Sequence, residues 1–305
     1  MAEQKQPVVY IPDNGRKKSS QKKNKKIANT IIYIVLGLMT IIWLTPFVFL
    51  VLESLRESPS TATGNPFFAV EGVAPFVWGF GNYVKLFAET EFPKWFLNTF
   101  IIAICTAALQ TIIVLCMSYT LSRSRFAGRK LLMNFMLVIG MFPGFLTLLV
   151  LYTLLKAINL TGDNAVGGLI LVYCASSGMG YHVSKGFFDT VPKALDEAAR
   201  IDGANRAQVL YKIILPMAKP IVIYTILTAF MGPWGDFVLA SYVAFNSVAG
   251  KNVAVGLQSW LDITMSDHYT LFCTGGVVVA IPVTLLFIFL QKYYVEGVTG
   301  GAVKG

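Results

Sequence analysis

Hydrophobic positions in this chain do not alternate with polar ones over short distances; they run together. Between Lys26 and Glu53 lie 26 residues without a charge, and Trp95–Ser122 (28), Leu131–Leu155 (25), Asn164–Ser184 (21) and Tyr269–Gln291 (23) repeat the pattern. A further run, 220–250, is broken only by Asp236. A helix crosses the hydrocarbon core with about 20 apolar residues. The pattern therefore predicts an all-α membrane protein with six transmembrane helices, at 27–52, 95–122, 131–155, 164–184, 217–243 and 269–291. The fourth run, rich in Gly and Ser, is the least hydrophobic. The first has a long polar segment before it and exceeds the roughly 7–15 residues of a signal-peptide core, so it is expected to stay as an anchor.

Composition agrees. Of 305 residues, 55% are hydrophobic and 13% charged, about half the charged share of a soluble domain. A soluble enzyme has more polar surface than this, and a disordered chain needs low hydrophobicity and high charge.

Charge placement predicts orientation. The amino-terminal segment 1–26 carries eight Lys or Arg, the 123–130 loop four, the 185–219 loop six and the carboxyl tail 294–305 with Lys292 two, which is 20 of 25 on one side. The positive-inside rule places both termini in the cytoplasm. The net charge of +9 then reads as a topology signal and not as a nucleic-acid footprint. The basic tail has two readings, attraction to anionic lipid headgroups and a stop-transfer flank that fixes topology.

Cys105, Cys116, Cys174 and Cys273 all fall inside predicted spans without metal-ligand spacing, and His182 and His268 are the only histidines. No disulfide, metal site or catalytic set is expected. The outward segment 53–94 contains Pro59, Pro66, Pro75 and Pro93 and predicts short helices and turns. A second outward loop contains Val253, Gly256 and Leu257, read either as a docking loop or as one lying on the lipid interface.

The segment 190–220 reads TVPKALDEAARIDGANRAQVLYKIILPMAKP. Thr190 is a candidate N-cap, with Pro192 opening a helix. Lys193–Glu197 and Asp196–Arg200 have i,i+4 spacing, and Gly203 can end the helix in a left-handed conformation. A second helix over 205–213 is predicted before Pro216. The spacing is Glu197-Ala198-Ala199, three residues, Gly203, nine residues, then Ile213, Leu215 and Pro216. It resembles the EAA signature of permease subunits of bacterial ABC importers, and it precedes the fifth span, as the signature requires.

From about residue 27 to 305 the chain is similar to the second, six-helix permease of carbohydrate importers, of the maltose/maltodextrin (MalG) type. Phe96-Leu-Asn-Thr99, Ser122-Arg-Ser-Arg125, Met141-Phe-Pro-Gly144, Lys185–Asp189, Pro233-Trp234 with Asp236, 253–257 and 293–305 carry the likeness. The resemblance implies a type I ABC importer permease fold over 95–293, with the cytoplasmic EAA coupling helices at 190–216. It implies that these helices seat in a cleft on a separate ATPase, Glu197 pairing with a basic residue there, Ala198 and Ala199 allowing close approach and Gly203 making the turn. It also implies that Gly300, Gly301, Lys304 and Gly305 reach between two ATPase subunits. The remaining implied partners are a second permease of the MalF type, an extracytoplasmic solute-binding protein, membrane lipid and the sugar. No Walker A pattern occurs in the chain, so ATP is expected on the partner and no cofactor here.

Asp236 is the carboxylate deepest in the predicted spans. It reads either as a group hydrogen-bonding a sugar hydroxyl in the pore or as a structural group about 25 Å along the helix from Lys219, near the outer mouth. Trp234 shares that neighbourhood. Prolines 46, 143, 216, 220, 233 and 282 punctuate the spans, as in gated pathways. A stand-alone ion-coupled carrier would show internal repeats or coupling carboxylates, and a membrane enzyme would show clustered acids, histidines or a nucleophile.

Overall fold

The computed structural model describes residues 15–57, 77–141, 144–175, 178–261 and 267–302. The chain forms two units, 1–50 and 51–305. The described part of the first is the greater length of helix α1 (Gly15–Ser54), which holds Pro46 inside it.

In the second unit, α2 (Gly81–Ala88) and α3 (Phe92–Arg123) follow the last turn of α1. Pro93 opens α3, where its missing N–H costs no helix bond. Phe92, Trp95, Thr99, Ile102, Ala103 and Thr106 are all buried, and their three- and four-residue spacing makes one helix face. α3 packs against α6 (Ala165–Ala175), α7 (Gly178–Thr190), α11 (Lys219–Gly235) and α13 (Val253–Leu261), and so forms the axis of the unit. α11 also packs on α14 (Asp267–Ala302). Where α13 meets α14, a side chain on Gly275 would run into Leu257 and Phe92, so the absent side chain permits the approach.

Among the described residues, four stretches are long and apolar enough to cross a membrane: Lys25–Ser54, Phe92–Arg123, Gly162–Thr190 and His268–Lys292. A fifth is counted if Arg206–Met217 and Lys219–Gly235, which meet at 88°, are taken together. The expected third span falls on α4 (Arg129–Gly140) and α5 (Gly144–Ala157), neither of which is long enough alone, and Pro143 lies outside the described residues. The expected fifth is also divided. α11 stops at Gly235, and Asp236 starts α12 (Val238–Ala244) by accepting a bond from the Leu239 N–H at 3.1 Å.

Candidate functional site: the EAA helix pair and its seat

The predicted helix pair forms, with different ends. α8 (Ala194–Ile201) starts after Lys193; Thr190 instead belongs to α7 and returns its hydroxyl to the Phe187 carbonyl. Pro192 explains the break, since it disfavours helical backbone at Val191. Gly203 ends the helix at φ +85°, with the Gly203 and Ala204 N–H groups donating to the Arg200 and Ala199 carbonyls. Asn205 then makes a reciprocal cap with Gln208 (2.8 and 2.9 Å) to start α9 (Arg206–Val209).

The second helix does not stop before Pro216. It passes through a π turn, Leu210–Ile214, into α10 (Leu215–Met217). Pro216 has no N–H to offer the Lys212 carbonyl, and the wider turn, closed by Leu215 N–H to Leu210 O, carries the chain past that defect. Ala218 then breaks the helix, and α11 leaves at 88° to 206–217.

The pair is seated on the unit's axis. Asp196 does not pair with Arg200; it points inward, Oδ2 3.1 Å from Arg123 Nε, and Oδ1 accepts from the Tyr119 hydroxyl at 3.0 Å. Arg123 Nη2 also donates to the Val191 carbonyl at 2.9 Å. One turn away, Asp189 accepts from Ser122 and pairs with Lys185, 2.6 and 2.5 Å. Beneath this polar seam lies an apolar cluster with Leu115, Phe188, Ala199, Val209, Ile214 and Ile221 buried together. The motif residues divide accordingly. Ala199 is buried and Ile213 and Leu215 are half-buried, facing the unit, while Glu197, Ala198, Gly203 and Pro216 are exposed. Ile201, 87% exposed, stands on the outer face without apolar cover. The cavity between seat and pair is about 130 Å³, below the roughly 300 Å³ of small-molecule sites. It is a seam and not a ligand pocket. Arg123 and Tyr119, which hold Asp196, have no site role in the sequence reading, where Arg123 counts as a topology charge and as part of Ser122-Arg-Ser-Arg125, the stretch that carries the available signal.

Residues 113–300 match the family of binding-protein-dependent transport system inner membrane components. The chain belongs to that family. It is 35% identical over 280 residues, 90% of this chain and 95% of the other, to the maltodextrin transport system permease protein MdxG of Bacillus subtilis. It is 33% identical over 288 residues to the maltodextrin permease MalD of Streptococcus pneumoniae, covering 94% and 99% of the two chains. The galactooligosaccharides permease GanQ of Bacillus subtilis is 32% identical over 277 residues, 90% and 94% of the two chains. A solved bacterial ABC transporter that imports alginate has the same fold, with TM-score 0.70 and 20% identity over 89% of this chain and 98% of that one.

In this permease the other candidate residues lie at the far end of α3. Asp236 uses both carboxylate oxygens on the protein: Oδ2 accepts from the Tyr173 hydroxyl at 2.7 Å and Oδ1 caps α12, while its backbone carbonyl takes the Asn252 amide at 2.8 Å. Trp234 is buried, 5% exposed, in an aromatic cluster with Phe96, Phe100 and Phe230. The loop expected around Val253, Gly256 and Leu257 is corrected to helix α13. Val253, Leu257 and Trp260 share one face at i, i+4 and i+7, all buried, and Gly256 lies against the Trp95 ring. The Val253 and Leu257 side chains face the core. Gly300 and Gly301 lie at the end of α14; Lys304 and Gly305 lie outside the described residues.

Proposed function

We propose that this permease is one of two pore subunits of an ATP-driven importer of maltodextrin-type oligosaccharides in a bacterial cytoplasmic membrane, with both termini cytoplasmic. ATP is bound and hydrolysed by two partner ATPase subunits; this chain holds no cofactor and catalyses no reaction. A second permease of the MalF type completes the pore, and an extracytoplasmic solute-binding protein delivers the sugar. The observation that carries the reading is the EAA helix pair, clamped by Asp196 to Arg123 and turning by 88° into α11. A stiff pair so anchored passes a domain rotation to both α3 and α11. Its free face holds Glu197, Ala198 and Ile201, all exposed. That face is the docking surface for the ATPase, Glu197 meeting a basic group. Asp236 is structural in this reading, and the terminal segment 300–305 reaches the ATPase pair.

The names of the relatives support maltodextrin as substrate; galactooligosaccharide import is the second reading, favoured by the likeness to the permease for those sugars. The test is purification of the tagged chain with its subunits, followed by sugar-stimulated ATPase activity in lipid. Stimulation by maltodextrins supports the proposal, stimulation by galactooligosaccharides alone shifts the substrate, and a chain that purifies alone overturns it. Glu197→Lys is expected to abolish coupled uptake, and unchanged uptake removes Glu197 from the interface. Impermeant labelling of Ser124→Cys and Lys251→Cys from opposite sides supports the orientation, while labelling from one side refutes it.

A further inference from the structure

The end of α3, the turn after it and the start of α4 carry four basic residues between them, of which Arg123 is committed to Asp196. Among the described residues the ion pairs are Arg56–Glu53, Arg123–Asp196 and Lys185–Asp189. Arg125, Arg129 and Lys130 take part in none of them. Gly128, at φ +84°, reverses the chain here, a conformation that costs a residue with Cβ about 1–2 kcal/mol. The reversal brings Arg125, Arg129 and Lys130 round one concave pocket of about 580 Å³, whose other walls include Phe126, Leu131 and Met133. No carboxylate lines it. Arg129 makes one long bond, 3.4 Å, to the Ser124 carbonyl and lies close enough to Asp189 to favour its charged form, and the Arg125 and Lys130 side chains are exposed.

The pocket opens onto an apolar track. α4 buries none of its residues. Leu131, Phe135 and Val138 are 74, 60 and 63% exposed, and their i, i+4, i+7 spacing puts them on one helix face starting at the basic rim. A soluble anion would use the charges and leave this track idle. A protein surface of matching shape would have to supply acids beside a long apolar strip. An amphiphile with one anionic head and acyl chains satisfies both parts at once.

We propose that this pocket is a binding site for an anionic phospholipid, with the headgroup phosphate held by Arg125, Arg129 and Lys130 and an acyl chain lying along Leu131, Phe135 and Val138. It goes beyond the transport reading and does not depend on the sugar. The pocket adjoins the seat of the coupling helices through Ser124, whose hydroxyl accepts from Arg206 at 3.4 Å.

The test uses the full chain, purified with the subunits that accompany it and placed in phosphatidylcholine nanodiscs. Each sample contains a trace of either photoactivatable phosphatidylglycerol or photoactivatable phosphatidylcholine, and adducts are mapped by peptide mass spectrometry. The expected result is phosphatidylglycerol adducts on residues 125–138 in several-fold excess over phosphatidylcholine. The excess should fall towards parity when Arg125→Gln, Arg129→Gln and Lys130→Gln are combined in a triple variant, and should shrink in high salt. Equal labelling by both lipids overturns the proposal, because it describes an ordinary lipid boundary. So does absence of lipid adducts with protein crosslinks in their place, which would assign the face to the second permease. The wild-type ratio alone decides the matter if the triple variant fails to fold.

Discussion

Arg123 Nε and Asp196 Oδ2 sit 3.1 Å apart, and this pair ties the last turn of α3 to the first turn of α8. Both side chains are largely withdrawn from solvent, 8 and 13% exposed. Removing one partner of a buried pair strands the other charge, at about 3–5 kcal/mol, whereas replacing both by apolar groups is often neutral. Arg123→Met is therefore expected to lower the thermal midpoint of the purified complex markedly, and Arg123→Met with Asp196→Leu to recover most of the loss. Equal destabilisation in single and double variants would show that the pair does not act as a unit.

Gly203 tests the turn between α8 and α9. Its φ is +85°, and a Cβ placed there meets nothing within 4 Å, so any cost is conformational and not steric. Gly203→Val should destabilise by about 1–2 kcal/mol and Gly203→Asn by clearly less, since Asn tolerates left-handed backbone. Chemical denaturation of the two variants side by side gives the order. A reversed order would mean that side-chain size matters at this position.

Asp236 separates a structural carboxylate from one that touches sugar. Asp236→Ala removes the acceptor of the Tyr173 hydroxyl and the cap of α12. Each lost buried partner costs about 1–3 kcal/mol. The expected outcome is lower stability with an unchanged apparent sugar affinity in the complex that survives, and Asp236→Asn should retain part of the stability through its remaining carbonyl. A loss of sugar affinity without a loss of stability would return Asp236 to the pore.

Gly256→Ala should be worse than a surface change. The added methyl would overlap the Trp95 ring, which is itself fixed by Trp260 at 5.3 Å and by the Lys251 ammonium at 5.9 Å. Overpacking of this kind costs about 1–3 kcal/mol. Tryptophan fluorescence and the thermal midpoint should shift together; a shift in neither means the ring can move aside.

Long elements were easiest to read from the chain. α3 and α14 each contain a long charge-free run, 95–122 and 269–291, and hydropathy alone locates such helices. Divided elements were harder, because Asp236 looked like a lone charge inside a span and not like the end of one helix and the cap of another. α13 reads as a loop from sequence because its small residues, Gly256 above all, weaken an apolar period that only the Trp95 ring completes. In the segment 190–220 the motif spacing locates the helix pair but not its seat. Asp196 has Arg200 four residues on, a sufficient local partner on paper, and its actual partner lies 73 positions earlier on another helix. Local spacing cannot rank a solvated pair against a half-buried one across the fold.

The π turn at Leu210–Ile214 also sets a phase. Each residue of an α-helix advances the azimuth by about 100°, so a segment of wider pitch fixes how α9 is clocked relative to α10. Deleting Tyr211 there would remove no side chain named in the seat and no exposed group on α8. It would still swing Val209, now 1% exposed, away from the apolar cluster. The turn thus acts as an angular key, and chain length between Val209 and Leu215 constrains this protein as firmly as the identity of any residue in it.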